Sequence, residues 1–491
     1  MLARFVRQSE GAGAPPVSGG ARGALASLAY FAVPVASAVA VVSLMPMAGI
    51  VGLAVTTALA LLVLVYLATV ASATLLFTGV LMMQIFSGNW QYLGLPIGLD
   101  RLLFAAAVLA LARDWFGRRL LGLPIRLTAA HGLLMVLMTW ATLSALFAGT
   151  LTTTNGFFSL LDRLGLIPFF AYFLAPRLFG VASQRRTLLL GLVAVGAYLG
   201  VTSFAEGLGI DPLVFPGYIL DDTLGIHTDR ARGPFLEAVA MGFGLLTCAV
   251  AALVAAHEWR SRTGRRLAIA VAVLCALGTV FTLTRAVWLG GVLAVLATAV
   301  VTPVLRRWIV PAAAAGVLLV VVLLALVPGL SASVGERAGS QRPLWDRYNS
   351  NVAALNIVQA EPLTGVGWQR FPEVSGEWTE QASDYPVTGV GIEVHNVFLS
   401  HASELGLPGA TLYLCAWLAA VVPPIFARGG PPHRPWRRAL VAIAVVWLVV
   451  ASFGPLSYAF ANTALWLFAG IAAATVRETP VPGPRSRELT A

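Results

Sequence analysis

The sequence predicts an all-α, polytopic transmembrane protein of about 12–14 spans, with one large extracytoplasmic loop that contains amphipathic helices. Three observations carry that expectation. Of 491 residues, 58% are hydrophobic and only 11% charged, whereas about a quarter of a soluble domain is charged. Apolar runs of about 20 residues recur along the whole length, enough for a helix to cross a hydrocarbon core of ~30 Å. The basic residues, finally, alternate between loops as the positive-inside bias requires.

Taken in order, the apolar runs lie near residues 24–44, 47–68, 69–87, 97–112, 128–148, 157–177, 187–206, 236–256, 267–284, 286–304, 308–328, 397–425, 439–457 and 461–476. They divide the chain into a cytoplasmic tail 1–23, a helical membrane region 24–328, a large outer loop 329–396, C-terminal membrane helices 397–476 and a cytoplasmic tail 477–491. With both termini inside, 23 of the 32 arginines fall on inner loops and nine outside, and an error of one span would scramble that alternation downstream. The start of the chain is polar and rich in Gly and Pro and leads into a full-length run, unlike a cleaved signal peptide. All 32 basic residues are arginine; with so much Ala, Gly and Leu this composition suits a GC-rich bacterial genome, hence a bacterial inner membrane. The net charge of +10 is spent on the loops, so no nucleic-acid partner is expected. Cys248, Cys275 and Cys415 all fall inside apolar runs and read as small buried hydrophobes rather than a disulfide or metal framework.

Two outer segments are polar: 207–235, rich in Gly, Pro and Asp, and the longer 329–396. Within the second, Leu344, Tyr348, Val352, Leu355 and Val358 recur at spacings of three and four, which predicts an amphipathic helix over 343–361 lying at the membrane surface. Pro362 helps to end it.

The residues able to carry chemistry are the arginines that disobey the inside bias. Arg285 sits between two apolar runs with almost no linker. A guanidinium there either snorkels to lipid phosphate or forms a fixed fork for a phosphate group, since it stays protonated and can bind two oxygens at once. Arg230 and Arg232 precede a span on the same side, and Arg342 and Arg347 lie on the amphipathic segment; Asp229 and Asp346 offer ordinary salt bridges as the alternative. His395 stands where the long loop re-enters the membrane and is either an interfacial or capping residue or a proton acceptor. His401, six residues on, is off its helical face and makes no two-histidine metal site. Glu404 reads as a buried polar residue bonding a neighbouring helix. No P-loop, dinucleotide-binding glycine fingerprint or HExxH is present.

Four stretches in this order resemble the O-antigen ligase and polymerase superfamily of bacterial polysaccharide assembly. They are Arg230-Ala231-Arg232-Gly233-Pro234-Phe235, then Leu283-Thr284-Arg285-Ala286-Val287-Trp288-Leu289, then Arg347 followed by Glu361-Pro362-Leu363-Thr364-Gly365-Val366-Gly367-Trp368, and lastly His395-Asn396-Val397-Phe398-Leu399 with Glu404-Leu405-Gly406-Leu407-Pro408-Gly409. The resemblance covers roughly residues 228–425. The position four after Arg347, often aromatic in the family, is Asn351 here, so Arg342, with Trp345 three later, competes with Arg347 for the loop arginine.

The resemblance implies an inverting glycosyltransferase, independent of metal and of cofactor, on the outer face of the inner membrane. Its donor would be a glycan on undecaprenyl pyrophosphate and its acceptor a hydroxyl of a glycan or lipid, with membrane lipids around both. It places Arg285 and Arg347 on the pyrophosphate, Arg342, Arg232 and Arg230 in support, His395 as the base, and Asn396 and Glu404 as supporting residues. Two other readings stand beside it: a transporter or flippase for an anionic lipid or solute, and a protein O-oligosaccharyltransferase. The first is weakened because ionisable residues are scarce at mid-depth in the spans.

Overall fold

The computed structural model of the protein describes residues 49–95, 98–117, 122–226, 228–311, 314, 335, 342–379 and 393–478. The expected tail 1–23, the run 24–44, most of the run 308–328, parts of the loop 329–396 and most of the tail 477–491 lie outside the described residues.

Every element assigned among the described residues is helical. In chain order the α-helices are α1 (Gly49–Val70), α2 (Ala73–Met83), α3 (Leu99–Phe116), α4 (Ala129–Phe147), α5 (Thr154–Ser159), α6 (Leu166–Phe179), α7 (Ala182–Leu208), α8 (Ala238–Glu258), α9 (Arg262–Phe281), α10 (Arg285–Val301), α11 (Arg342–Ala360), α12 (Phe371–Trp378), α13 (Val397–Phe426), α14 (His433–Phe453) and α15 (Ala459–Thr475). Seven helical stretches are long and apolar enough to span a bilayer: α4, the composite Thr154–Phe179, α7, α8, α9, α13 and α14. Ala60–Val70, Ala73–Phe86, α10 and α15 are shorter apolar helices. The run expected over 97–112 is α3, which is not among the seven; Asp100, Arg101, Arg113 and Asp114 bracket its apolar middle. The runs at 47–68 and 69–87 are separate helices because Ser72 takes an extended backbone and its hydroxyl accepts from the Leu75 N–H as an N-cap.

The bundle closes around α8, which packs on α7, α9, α10 and α14. Its buried residues are largely Ala and Gly, the small side chains that let helix backbones approach where lipid supplies no hydrophobic drive. At the crossing of α15 with α6, a Cβ added to Gly470 would come within 2.7 Å of the Tyr172 carbonyl oxygen.

One break in this regularity matters for function. The run expected as a single span over 397–425 is interrupted at Gly406, whose backbone (φ 70°, ψ 174°) is not helical. The turn at 361–367 docks into the break: Val366 N–H donates to the Ser403 carbonyl at 2.9 Å, Gly367 N–H to the Glu404 carbonyl at 3.0 Å, and Leu407 N–H to the Pro362 carbonyl at 2.8 Å. Two motifs some forty residues apart are therefore one interlocked unit. Gly406 occupies a region essentially restricted to glycine, and a Cβ there would lie 2.3 Å from the Leu363 carbonyl oxygen. Gly406→Ala is expected to cost about 2 kcal/mol or more, read as a lowered Tm in detergent, and to unlock the 361–367 turn. An unchanged Tm would show that the interlock does not matter for stability.

The amphipathic helix expected over 343–361 is α11, but its buried face is not the expected stripe. Asn349, Ser350, Ala353, Ala354 and Ile357 are buried, while Tyr348 and Leu355 are exposed. Small residues let α11 approach α12 and α13 closely, and the larger apolar side chains are left on the outer surface.

Arg113 and Arg185 lie at one end of α3 and α7, whose other ends carry Arg101 and the 207–236 connection. Arg113 donates to the carbonyls of Ala68 and Thr69, and Arg185, 2% exposed, pairs with Glu478 at 2.8 Å. Beside it, Trp436 donates to Glu258 at 2.7 Å. Arg101, Arg163, Arg230, Arg232, Arg285 and Arg347 belong to the other end, which also carries the 207–236 connection and the 361–367 turn.

Candidate active site

The arginine-rich end is assembled from two tight connections, one helix of the loop and the segment leading into α13. Between α9 and α10 only Thr282, Leu283 and Thr284 intervene. The linker is stiffened from within: Thr282 and Thr284 are buried, Thr282 Oγ1 donates to the Thr279 carbonyl at 2.7 Å, and Trp288 Nε1 to the same carbonyl at 2.8 Å. Leu283 takes a positive φ of 47°. Arg285 is thereby fixed as the first residue of α10, where the unsatisfied N–H groups and the macrodipole add to its positive potential.

Ala231 N–H donates to the Phe281 carbonyl at 3.0 Å, docking the connection before α8 onto the end of α9. Arg230 and Arg232 flank that bond and do different work. The Arg232 guanidinium is buried and spends itself on the chain's own backbone, donating to the Ile219 carbonyl at 2.8 Å, the Asp221 carbonyl at 2.7 Å and the Leu224 carbonyl. The N–H groups of Arg232 and Gly233 in turn donate to the Glu206 carboxylate, the latter at 2.9 Å. The Arg232 fork, expected to support a pyrophosphate, here donates to carbonyls that shape the 219–224 loop.

Arg230 goes the other way, toward Arg285 and Arg347. Burial pulls its basicity down and the two neighbouring guanidinium groups add to that, against Glu237. Arg347 is depressed likewise by burial and then by Arg285, with Asp346 opposing. Three cations therefore share one region at a cost in mutual repulsion. Asp229 is 3.8 Å from Arg230 and Asp346 adjoins Arg347, while Arg285 is exposed and makes no salt bridge within 4.0 Å among the described residues. Glu237 is pushed up to about 7 by burial, outweighing the Val239 N–H and Arg230. Arg342 opens α11, but its side chain lies outside the described residues.

His395 faces the same cluster. Burial lowers its basicity first and the positive Arg347 adds to this, while Asp346 and both the backbone and carboxylate of Glu393 pull the other way. The ring is therefore neutral at pH 7, the form that can accept a proton. Asn396 is the N-cap of α13: its Oδ1 accepts from the N–H groups of Phe398 at 3.0 Å and Leu399 at 3.1 Å. Its support is structural, since it fixes where the chain enters the helix.

Glu404 is buried behind the Gly406 break and faces the backbone of Gln369 and Phe371 rather than the arginine cluster. With His401, Arg163 and Glu393 it borders a cavity of about 40 Å³, room for a water or two but not for a sugar ring. Arg163, Glu393 and Ser457 are neighbours of the site that the sequence did not single out. Only Arg163, as an outward arginine, gave any signal. Among the described residues no group of His, Cys, Asp and Glu is arranged to hold a metal ion.

Residues 270–414 match the family model described as O-antigen ligase. The match takes in Arg285, Arg347, His395, Asn396, Glu404 and the interlocked turns, and it supports the O-antigen ligase and polymerase superfamily. Arg163, Arg230, Arg232 and Ser457 fall outside it. No match is found among the curated proteins. Seven membrane-length helices and this match describe a multi-pass membrane protein of polysaccharide biosynthesis, related to proteins that transfer glycans.

Proposed function

We propose that the protein is an inverting glycosyltransferase of the bacterial inner membrane, working at its outer face with both termini in the cytoplasm. It transfers a glycan from undecaprenyl pyrophosphate to an acceptor hydroxyl. The observation that carries this reading is the convergence of Arg230, Arg285 and Arg347 beside a neutral His395. His395 takes the proton of the acceptor hydroxyl as its oxygen attacks the anomeric carbon. The bond from that carbon to the pyrophosphate oxygen breaks, and the lipid pyrophosphate leaves with the electron pair. Negative charge grows on the leaving group as this happens, so guanidinium groups aimed at it stabilise the transition state more than the ground state. A donor anchored by its polyprenyl tail in lipid presents its phosphates at headgroup level, the depth of the helix ends. The exposed Tyr348 and Leu355 of α11 suit a helix resting on that surface.

Mass-spectrometric profiling of polyprenyl-linked glycans in wild-type and deletion strains tests this. Accumulation of single-repeat lipid-linked units in the deletion strain identifies a polymerase, and accumulation of full-length lipid-linked chains identifies a ligase, to lipid or to protein. Identical profiles in both strains would sink the transferase reading and favour transport of an anionic lipid.

A further inference from the structure

Resting on the transferase reading, we infer that Glu393, anchored by Arg163 and Ser457, is a positioning residue that sets both the place and the basicity of His395. Its carboxylate bridges two separate parts of the bundle. One oxygen accepts from Arg163 Nη1 at 2.7 Å, and the other accepts from the Ser457 hydroxyl. Arg163 comes from the π-helical turn Leu160–Leu164, a local widening that recurs at functional sites. Ser457 comes from the connection between α14 and α15.

The residues on either side of His395 are attached as well. Val394 is 1% exposed and packs with Ala353, Ala354 and Ile357 of α11 and with Phe371. Asn396 is committed to the α13 cap. The imidazole is thus carried on a four-residue segment tied to five different parts of the fold, and two of its anchors, Arg163 and Ser457, lie outside the matched residues.

Charge gives Glu393 a second effect. Burial alone would raise its carboxyl, but Arg163, the Ser457 hydroxyl and His395 outweigh that and hold it below the usual carboxylate range. An anion therefore stands two residues from the base. Around the ring the charged groups are Arg347 and Asp346 from α11 and Glu393 on its own segment, with Arg163 behind Glu393. Arg347 disfavours the imidazolium that forms during transfer, and Asp346, then the backbone and carboxylate of Glu393, offset it.

The test uses the full chain in detergent or proteoliposomes with a polyprenyl-pyrophosphate-linked glycan as donor, and reads kcat against pH. In E393Q the amide oxygen can still accept from Arg163 and the amide N–H can donate to the Ser457 hydroxyl oxygen, but the charge is gone, so His395 loses its proton more readily. The acid limb is expected to move to lower pH by about half a unit or more, with a several-fold lower plateau. E393D keeps the charge and is expected to keep the midpoint. R163M removes the cation that chiefly holds Glu393 ionised against burial, so it is expected to move the midpoint to lower pH as E393Q does. An unshifted midpoint in both E393Q and R163M, with only Tm lowered, would show a plain structural tie and overturn the inference. A His395→Ala protein that keeps the wild-type rate and profile would instead overturn His395 as the base, and a wild-type protein that transfers no glycan from this donor would overturn the transferase reading itself.

Discussion

Replacing His395 by alanine is expected to lower the rate of glycan transfer by about 10²–10⁴-fold, the range a positioned general base contributes. The donor should still bind, because the guanidinium groups are untouched, so the loss should appear in kcat with KM for the lipid-linked donor near that of the wild type. The pH dependence has a definite sign. Burial and Arg347 hold the His395 ring below the ordinary imidazole value, so it is unprotonated at neutral pH and activity is lost only as pH falls through that lowered value. Wild-type kcat should therefore be flat around pH 7 and decline on the acid side, and the decline should vanish in the residual activity of the alanine variant. A wild-type profile whose acid limb sits well above pH 7 would contradict a base in this environment.

Arg285→Lys is expected to fail nearly as badly as Arg285→Ala, each by about 10²–10³-fold in kcat, the cost of removing one donor aimed at developing negative charge. Lysine keeps the charge but presents it as a compact point on a flexible stem, without the planar fork that holds two phosphate oxygens. The side chain is exposed and makes no salt bridge within 4.0 Å among the described residues, so both variants should fold with Tm close to the wild type. That separates a catalytic loss from a folding defect. If Arg285→Lys transfers glycan at the wild-type rate, a bidentate contact at this position is wrong and the arginine serves as a general cationic field.

How far the site could be read in advance differs from residue to residue. Arg285 was visible because two apolar runs with no linker between them leave a charge nowhere to hide. His395 was visible because it opens a span at the end of a long polar segment. Arg230 and Arg232 were indistinguishable on paper, one residue apart in the same motif. Only their tertiary contacts show different tasks, Arg230 lying near Arg285 and Arg232 donating to the carbonyls of the 219–224 loop. Tyr348 and Leu355 illustrate the same limit in α11. Periodicity identified a helix, but which of its faces meets protein depends on how closely Ala353, Ala354 and Ile357 allow a neighbour to come.

What the sequence determined by itself is the all-helical membrane character of the chain and the exposed position of Arg285 between two apolar runs. Both follow from local quantities: the length of an apolar run against the thickness of a bilayer, and the cost of moving a guanidinium through it. The tertiary structure decided the break at Gly406 with the 361–367 turn seated in it, the gathering of Arg230, Arg285 and Arg347 before His395, and the bridge from Glu393 to Arg163 and Ser457. Each of these joins residues tens to hundreds of positions apart. No spacing rule reports such pairs, because it is the packing of whole helices, not any local propensity, that brings them within reach of one another.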